Sequence, residues 1–205
     1  MLYSLNKIFL DYLISLILLI LLFPLFIFIS LCVKIESKGT IFYLGERVGK
    51  DLKTFKIIKF RTMVEDAEVL GGLVTSHEDM RITRVGKFLR KYKLDELPQF
   101  INILRAEMSL VGPRPEAYEF VDLYSKEDKE LVYSVKPGIT DYSSIEFIQL
   151  GQVLGLNNNH AKFQDEVNKV LEKKLKLRKQ YVLERSFLKD LHILFLTFLK
   201  LVRFK

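Results

Sequence analysis

The stretch Tyr12-Leu13-Ile14-Ser15-Leu16-Ile17-Leu18-Leu19-Ile20-Leu21-Leu22-Phe23-Pro24-Leu25-Phe26-Ile27-Phe28-Ile29-Ser30-Leu31-Cys32-Val33 contains no acidic or basic side chain. A straight helix over it would be about 33 Å long at ~1.5 Å per residue, and the run exceeds the roughly 18 residues that mark a membrane candidate. A cleavable signal peptide fits poorly, because the run is longer than the usual apolar region of such peptides and no small-residue cleavage site follows it. Pro24 interrupts the run near its middle. Proline removes a backbone donor and its ring crowds the carbonyl one turn earlier, so a kink or break is expected there. Two topologies follow: a kinked helix that spans the bilayer, or a hairpin that leaves on the face it entered. Lys7 on one flank and Lys34 and Lys38 on the other give no strong asymmetry of charge. Physics alone favours the plain spanning helix, since membrane helices tolerate proline.

Outside this segment the chain reads as one ordinary domain, and the whole has 205 residues. The formal charge of +7 points to an anionic partner: nucleic acid, acidic lipid or a phosphorylated substrate. Much of it lies at the end, where residues 167–205 hold 11 Lys or Arg against 3 acids, a local excess of +8. The single cysteine, Cys32, excludes an intrachain disulfide and a cysteine metal cluster. It reads as a small hydrophobe within the apolar run. His77, His160 and His192 lack metal-ligand spacing and read as surface residues.

Gly39–Gly45 reads as a turn entering a short strand, and Lys53–Phe60 as a second strand. Glu65–Leu70 reads as a helix ended by Gly71-Gly72. Thr83–Tyr92 is a basic amphipathic helix with Val85, Phe88, Leu89 and Tyr92 on one face. Glu116–Tyr133 is expected to be helical, Pro137-Gly138 marks a turn, and Asn157–His160 is a polar loop. Phe163–Glu184 forms a long charged helix. Phe187–Phe204, which mixes apolar blocks with Lys189, Lys200 and Arg203, suits an interfacial helix on an anionic membrane.

The carboxylate pair Asp95-Glu96 stands in Leu94-Asp95-Glu96-Leu97-Pro98-Gln99, behind the cations Arg81, Arg84, Lys87, Arg90, Lys91 and Lys93. With Asp95 as N-cap, Glu96, Leu97 and Pro98 fill the first turn of a helix, where proline is harmless. Such a pair is most often a cap with favourable dipole charge. Two acids among many cations also describe a place where anions bind and a metal ion or nucleophile works. Gly112-Pro113-Arg114-Pro115 can be neither regular helix nor central strand, so it is a stiff loop presenting Arg114.

Taken together, the chain resembles the bacterial sugar transferase family, the monotopic phosphoglycosyl transferases that initiate cell-surface glycan assembly. The match includes the Pro-interrupted N-terminus, Lys59-Phe60-Arg61-Thr62-Met63, Asp79-Met80-Arg81-Ile82-Thr83, Leu94–Gln99, Ser109-Leu110-Val111-Gly112-Pro113-Arg114-Pro115 and Pro137-Gly138-Ile139-Thr140. Each alone is weak; their shared order and spacing carry the resemblance. The length is similar to the minimal form of the family.

The resemblance implies transfer of a sugar 1-phosphate from a UDP-sugar to polyprenyl phosphate, giving polyprenyl diphosphate sugar and UMP, with Mg2+ required. It implies that Asp95 is the nucleophile of a covalent phosphosugar intermediate and that Glu96 supports metal or proton handling. Both are thus candidate Mg2+ ligands. Arg61, Arg90, Arg114 and Lys59 are the candidate phosphate-binding residues, since cations in the matched motifs suit phosphate. The family's apolar segment is a re-entrant hairpin bent at proline, here Pro24, which reverses the preference for a spanning helix.

The implied fold is α/β (α+β, mainly helical) and membrane-associated. Residues 1–38 would form the re-entrant membrane element, and residues 39–205 a catalytic domain ending in an interfacial helix. Its expected location is the cytoplasmic face of the bacterial inner membrane. Three departures from the family's pattern stand out: Phe23 where serine is common, Glu107 where aspartate is common, and Asp141-Tyr142-Ser143-Ser144-Ile145-Glu146-Phe147 where many members have Gly-Trp-Ala-Gln. That last region is expected to touch the nucleotide or sugar. The competing readings are a membrane-tethered basic protein that binds acidic lipid or nucleic acid, and a metal-dependent phosphohydrolase. No nucleic-acid-binding signature is present, so no nucleic acid partner is expected.

Overall fold

The computed structural model describes residues 2–65, 67, 79–147 and 160–203. The apolar run is two helices, α1 (Leu2–Leu21) and α2 (Phe23–Glu36), separated at Leu22. Pro24 sits in the first turn of α2, where its missing N–H breaks no helical bond. The interruption therefore falls two residues before the proline. Over Tyr3–Leu21, α1 is long and apolar enough to cross a membrane.

The outer ends of both helices dock on the same body. Near the start of α1, Lys7 donates to Asp190 at 2.8 Å and to the Val111 carbonyl at 2.9 Å. One turn on, Asp11 is buried and accepts from the Ser109 hydroxyl at 2.7 Å and the Leu110 N–H at 3.0 Å. At the other end, Ile29 and Val33 of α2 pack with Phe60 and Leu89. Leu19, Ile20 and Phe23 line a shallow apolar hollow around the interruption.

β1 (Phe42–Val48) and β2 (Thr54–Phe60) form an antiparallel pair in register from Phe42↔Phe60 to Val48↔Thr54. The outer edge of β2 is closed by a side chain. Asn102, fully buried, accepts from the Ile58 N–H at 3.0 Å and donates to the Lys56 carbonyl at 2.8 Å. Asn102 also donates to Glu107 at 2.6 Å, which gives that variant position a structural partner.

α3 (Arg84–Lys91) lies within the expected helix Thr83–Tyr92, and Thr83 caps it, its hydroxyl accepting from the Gly86 N–H at 2.9 Å. Glu36, at the end of α2, accepts from the Arg84 and Val85 N–H groups at 2.7 and 2.9 Å, so α2 also caps α3. A 3-10 turn (Leu94–Glu96) leads into α4 (Gln99–Leu104). Asp95 is therefore not an N-cap. Lys93 adopts the left-handed region at φ 57° and starts a separate turn, and Pro98 takes the cap position of α4.

β3 (Ser109–Val111) and β4 (Gly138–Thr140) pair in parallel. Pro137-Gly138 thus enters a strand and is no turn. A Cβ on Gly138 would lie 2.0 Å from the Gly112 nitrogen, so the two chains approach as only glycine allows. Glu116–Tyr133 is two short helices, α5 (Tyr118–Val121) and α6 (Lys126–Val132), because Ser125 caps a new start by accepting from the Asp128 N–H at 3.2 Å. α7 (Tyr142–Glu146), α8 (His160–Glu184) and α9 (Phe187–Arg203) complete the order. Ile57, Ile103, Met108, Val111, Tyr181 and Ile193 form the main core between these layers. The expected helix at Glu65–Leu70, apart from Glu65 and Ala67, and the expected loop at Asn157–His160, apart from His160, lie outside the described residues; His160 begins α8 and is no loop residue.

Candidate active site

A cavity of about 1280 Å³ opens beside β1 and is lined by Lys59, Arg61, Arg90, Lys93, Asp95 and Glu96, among others. Three segments distant in sequence meet there. β2 delivers Lys59, the 3-10 turn delivers Asp95 and Glu96, and the loop after β3 brings Arg114 to Glu96.

The two adjacent carboxylates have opposite surroundings. Glu96 accepts from Lys59 Nζ at 2.9 Å and from Arg114 Nη2 through the same Oε1. Burial pushes the Glu96 carboxyl up, but Arg114 and then Lys59 outweigh it and hold the group well below the usual carboxylate range. Asp95 is 7% exposed, and its Oδ1 is buried without a hydrogen-bond partner. Burial first, then the neighbouring Glu96 charge, raises the Asp95 pKa; Lys59, Lys93 and Arg90 pull it the other way. A buried acceptor left without a donor marks a place for an electrophile, cation or water.

Arg90 is tethered at one point, its Nε donating to Thr62 Oγ1 at 2.8 Å. Its charge acts on Asp95, and it lines the same cavity. Arg61 lines the cavity too, but its Nη groups are turned to the end of α2, donating to the Ser37 carbonyl at 2.8 Å and to the Lys38 carbonyl. In the Asp79–Thr83 motif, Arg81 clasps Asp79, with Nη2 and Oδ2 2.6 Å apart, and Thr83 caps α3. That motif thus braces α3, and its Arg81 also lines the cavity.

Thr62 has no role in the reading of the sequence, and Lys93 enters it only as one of the cations ahead of the dyad. Their parts depend on a left-handed residue and on a cross-segment bond. The variant segment Asp141–Phe147 does not line the cavity. Asp141 is buried and caps α7, accepting from the Ser144 N–H at 2.7 Å and the Ser143 hydroxyl at 2.8 Å. Among the described residues no cluster of three or more His, Cys, Asp or Glu could hold a metal ion alone. Mg2+ needs less protein than that, since it commonly takes one or two carboxylates and completes its shell with phosphates and water. The partnerless Asp95 Oδ1 beside Glu96 fits that role.

A family model described as bacterial sugar transferase matches residues 2–204. The chain is 44% identical over 124 residues to an Aeromonas hydrophila UDP-N-acetylgalactosamine-undecaprenyl-phosphate N-acetylgalactosaminephosphotransferase, covering 60% of this chain and 29% of that protein. It is 36% identical over 194 residues to the UDP-glucose:undecaprenyl-phosphate glucose-1-phosphate transferase of Escherichia coli K12, covering 93% of this chain and 39% of that protein. An uncharacterized sugar transferase of Bacillus subtilis, EpsL, is 34% identical over 170 residues, covering 83% of this chain and 74% of that one. The chain thus spans between 29% and 39% of the length of the first two relatives.

Proposed function

We propose, from the premise that this chain belongs to the bacterial sugar transferase family, that it moves a sugar 1-phosphate from a UDP-sugar to polyprenyl phosphate. The observation that carries the proposal is the split dyad: Asp95 with a bare, buried Oδ1, and Glu96 clamped by Lys59 and Arg114, on the wall of a cavity that Lys59, Arg90 and Lys93 also line.

The chemistry follows from that split. One Asp95 oxygen attacks the phosphorus that carries the sugar and forms an acyl phosphate bond. The bond from that phosphorus to the bridging oxygen breaks, and its electron pair leaves with UMP. The lipid phosphate oxygen then attacks the same phosphorus, and the departing carboxylate regenerates Asp95. No net proton is consumed. Asp95 and Glu96 would hold Mg2+, which when bound offsets the charge on the diphosphate. Lys59 and Arg114 keep Glu96 ionised and fixed, while Lys93 and the fork of Arg90 supply positive charge along the path of the phosphates.

The membrane reading is a re-entrant hairpin on the cytoplasmic face of the bacterial inner membrane. It is supported by the docking of both ends of the apolar run on one body: a spanning helix could not keep Lys7 on Asp190 and Glu36 on α3 together. α9 suits the interface, with Leu188, Leu191, Phe195, Phe198 and Val202 exposed while Asp190 and Ile193 are buried. A lipid phosphate could then reach Asp95 without leaving the bilayer. Detergent-solubilised protein incubated with UDP-sugar, Mg2+ and polyprenyl phosphate should release UMP. Silence across a broad donor panel would count against the transferase.

A further inference from the structure

The cavity beside Asp95 is walled along its length by β1: Tyr43, Leu44, Gly45, Glu46, Arg47 and Val48 all line it. Among the described residues β1 has one strand neighbour, β2, and no strand pairs with its other edge. Which backbone groups face that edge follows from the ladder. The Arg61 N–H donates to the Ile41 carbonyl at 2.9 Å and the Gly49 N–H to the Lys53 carbonyl at 2.8 Å. In this register the odd-numbered residues of β1 bond to β2, and the even-numbered ones point away. Val48 agrees, its N–H donating outward to the Glu116 carbonyl at 2.9 Å.

Of the outward groups, the Phe42 carbonyl is taken by Thr40 and the Glu46 carbonyl by Arg47. The Leu44 carbonyl and the Glu46 N–H have no partner among the described residues. The opposite edge of the sheet displays how such a pair is satisfied. There the carboxamide of Asn102 bridges a carbonyl and the N–H two residues on, Lys56 and Ile58. The Leu44 carbonyl and Glu46 N–H repeat that spacing on β1, and no described side chain bridges them.

We infer that this open edge is the nucleobase subsite: the N3–H of a uracil ring donates to the Leu44 carbonyl, and an adjacent ring carbonyl accepts from the Glu46 N–H. The imide of uracil offers the donor and acceptor that Asn102 offers on β2. The subsite also lies at a suitable remove from the chemistry. Tyr43, next to Leu44, is directly opposite Lys59, one strand spacing of about 4.8 Å away, and Lys59 reaches Glu96. The inference rests on the reading of this chain as a UDP-sugar transferase, and it assigns base recognition to backbone, which no side-chain motif would reveal.

The test uses the full chain in detergent with Mg2+ and measures binding of UMP and 3-methyl-UMP by calorimetry. Methylation removes the N3 donor, so 3-methyl-UMP should bind about tenfold or more weakly. Glu46→Pro deletes the outward N–H without breaking a ladder bond, since edge strands accept proline. It should weaken UMP by a similar factor and make the protein less sensitive to the methyl group, while Glu46→Ala, which keeps the N–H, retains the sensitivity to the methyl group. Equal affinity of the wild-type chain for UMP and 3-methyl-UMP, or no binding of UMP, overturns the subsite. UMP release from UDP-sugars tests transfer separately. Transfer with equal affinity for the two nucleotides leaves the transferase standing and removes the subsite; methyl-sensitive binding without transfer does the reverse.

Discussion

Lys59 Nζ lies 2.9 Å from Glu96 Oε1, and Arg114 donates to the same oxygen. One carboxylate of the dyad is thereby neutralised twice while its neighbour, Asp95, keeps a bare oxygen. This division of labour makes each acid separately testable.

Asp95→Asn should raise the thermal midpoint of the free protein by a few degrees at neutral pH, measured without donor or Mg2+. The sign follows from the raised pKa. The folded state disfavours the carboxylate, so the penalty is complete above the folded pKa and disappears as pH falls below the ordinary value of 3.8. The gain in midpoint should therefore shrink in acid. A variant less stable than wild type at pH 7 would contradict the desolvated carboxylate.

Glu96 has the opposite linkage. Its folded pKa is depressed, so its stabilisation is present above the ordinary value of 4.5 and is lost as pH falls through the folded pKa. Arg114→Ala leaves Lys59 as the remaining direct partner and should destabilise by about 1–3 kcal/mol, below the 3–5 typical of a stranded buried charge. Denaturant titration at pH 7 and in acid should find the deficit smaller in acid. Arg114→Lys should recover only part of it, because the planar fork is lost.

Asn102→Leu should cost about 3 kcal/mol, as the Ile58 N–H and the Lys56 carbonyl lose their partner inside the protein. Lys59 follows on the same strand, so donor turnover should fall as well. Thermal denaturation beside a UMP-release assay measures both.

For topology, Ser4→Cys in a Cys32→Ser background should resist a membrane-impermeant maleimide applied to intact spheroplasts and react after lysis. Labelling from outside would contradict the hairpin, because Lys7 and Asp11 could not then reach Asp190 and Ser109.

Local pattern made several elements legible. The helix over Thr83–Tyr92, the strands around Phe42 and Phe60 and the helix to Glu184 all follow from signals within a few residues. Pro137-Gly138 misled because its strand exists by contact with Gly112, far away in sequence. Asp95 misled as a cap because the backbone of Lys93 is left-handed, a state that a lysine does not advertise. The company of motifs pointed to Asp95, Glu96 and Arg114; the sharing of one Glu96 oxygen by Lys59 and Arg114 needed coordinates. The open edge of β1 is backbone alone, and the sequence has no letter for it.

The central claim is that Asp95 is the nucleophile. Intact-mass measurement after incubation with donor and Mg2+, without polyprenyl phosphate, tests it most directly. A substrate should first be found by UMP release. The wild-type chain should then gain the mass of one sugar phosphate, mapped to Asp95 and discharged on adding acceptor, while Asp95→Asn gains none and turns nothing over. An adduct on another residue, or full turnover by Asp95→Asn, would contradict the account.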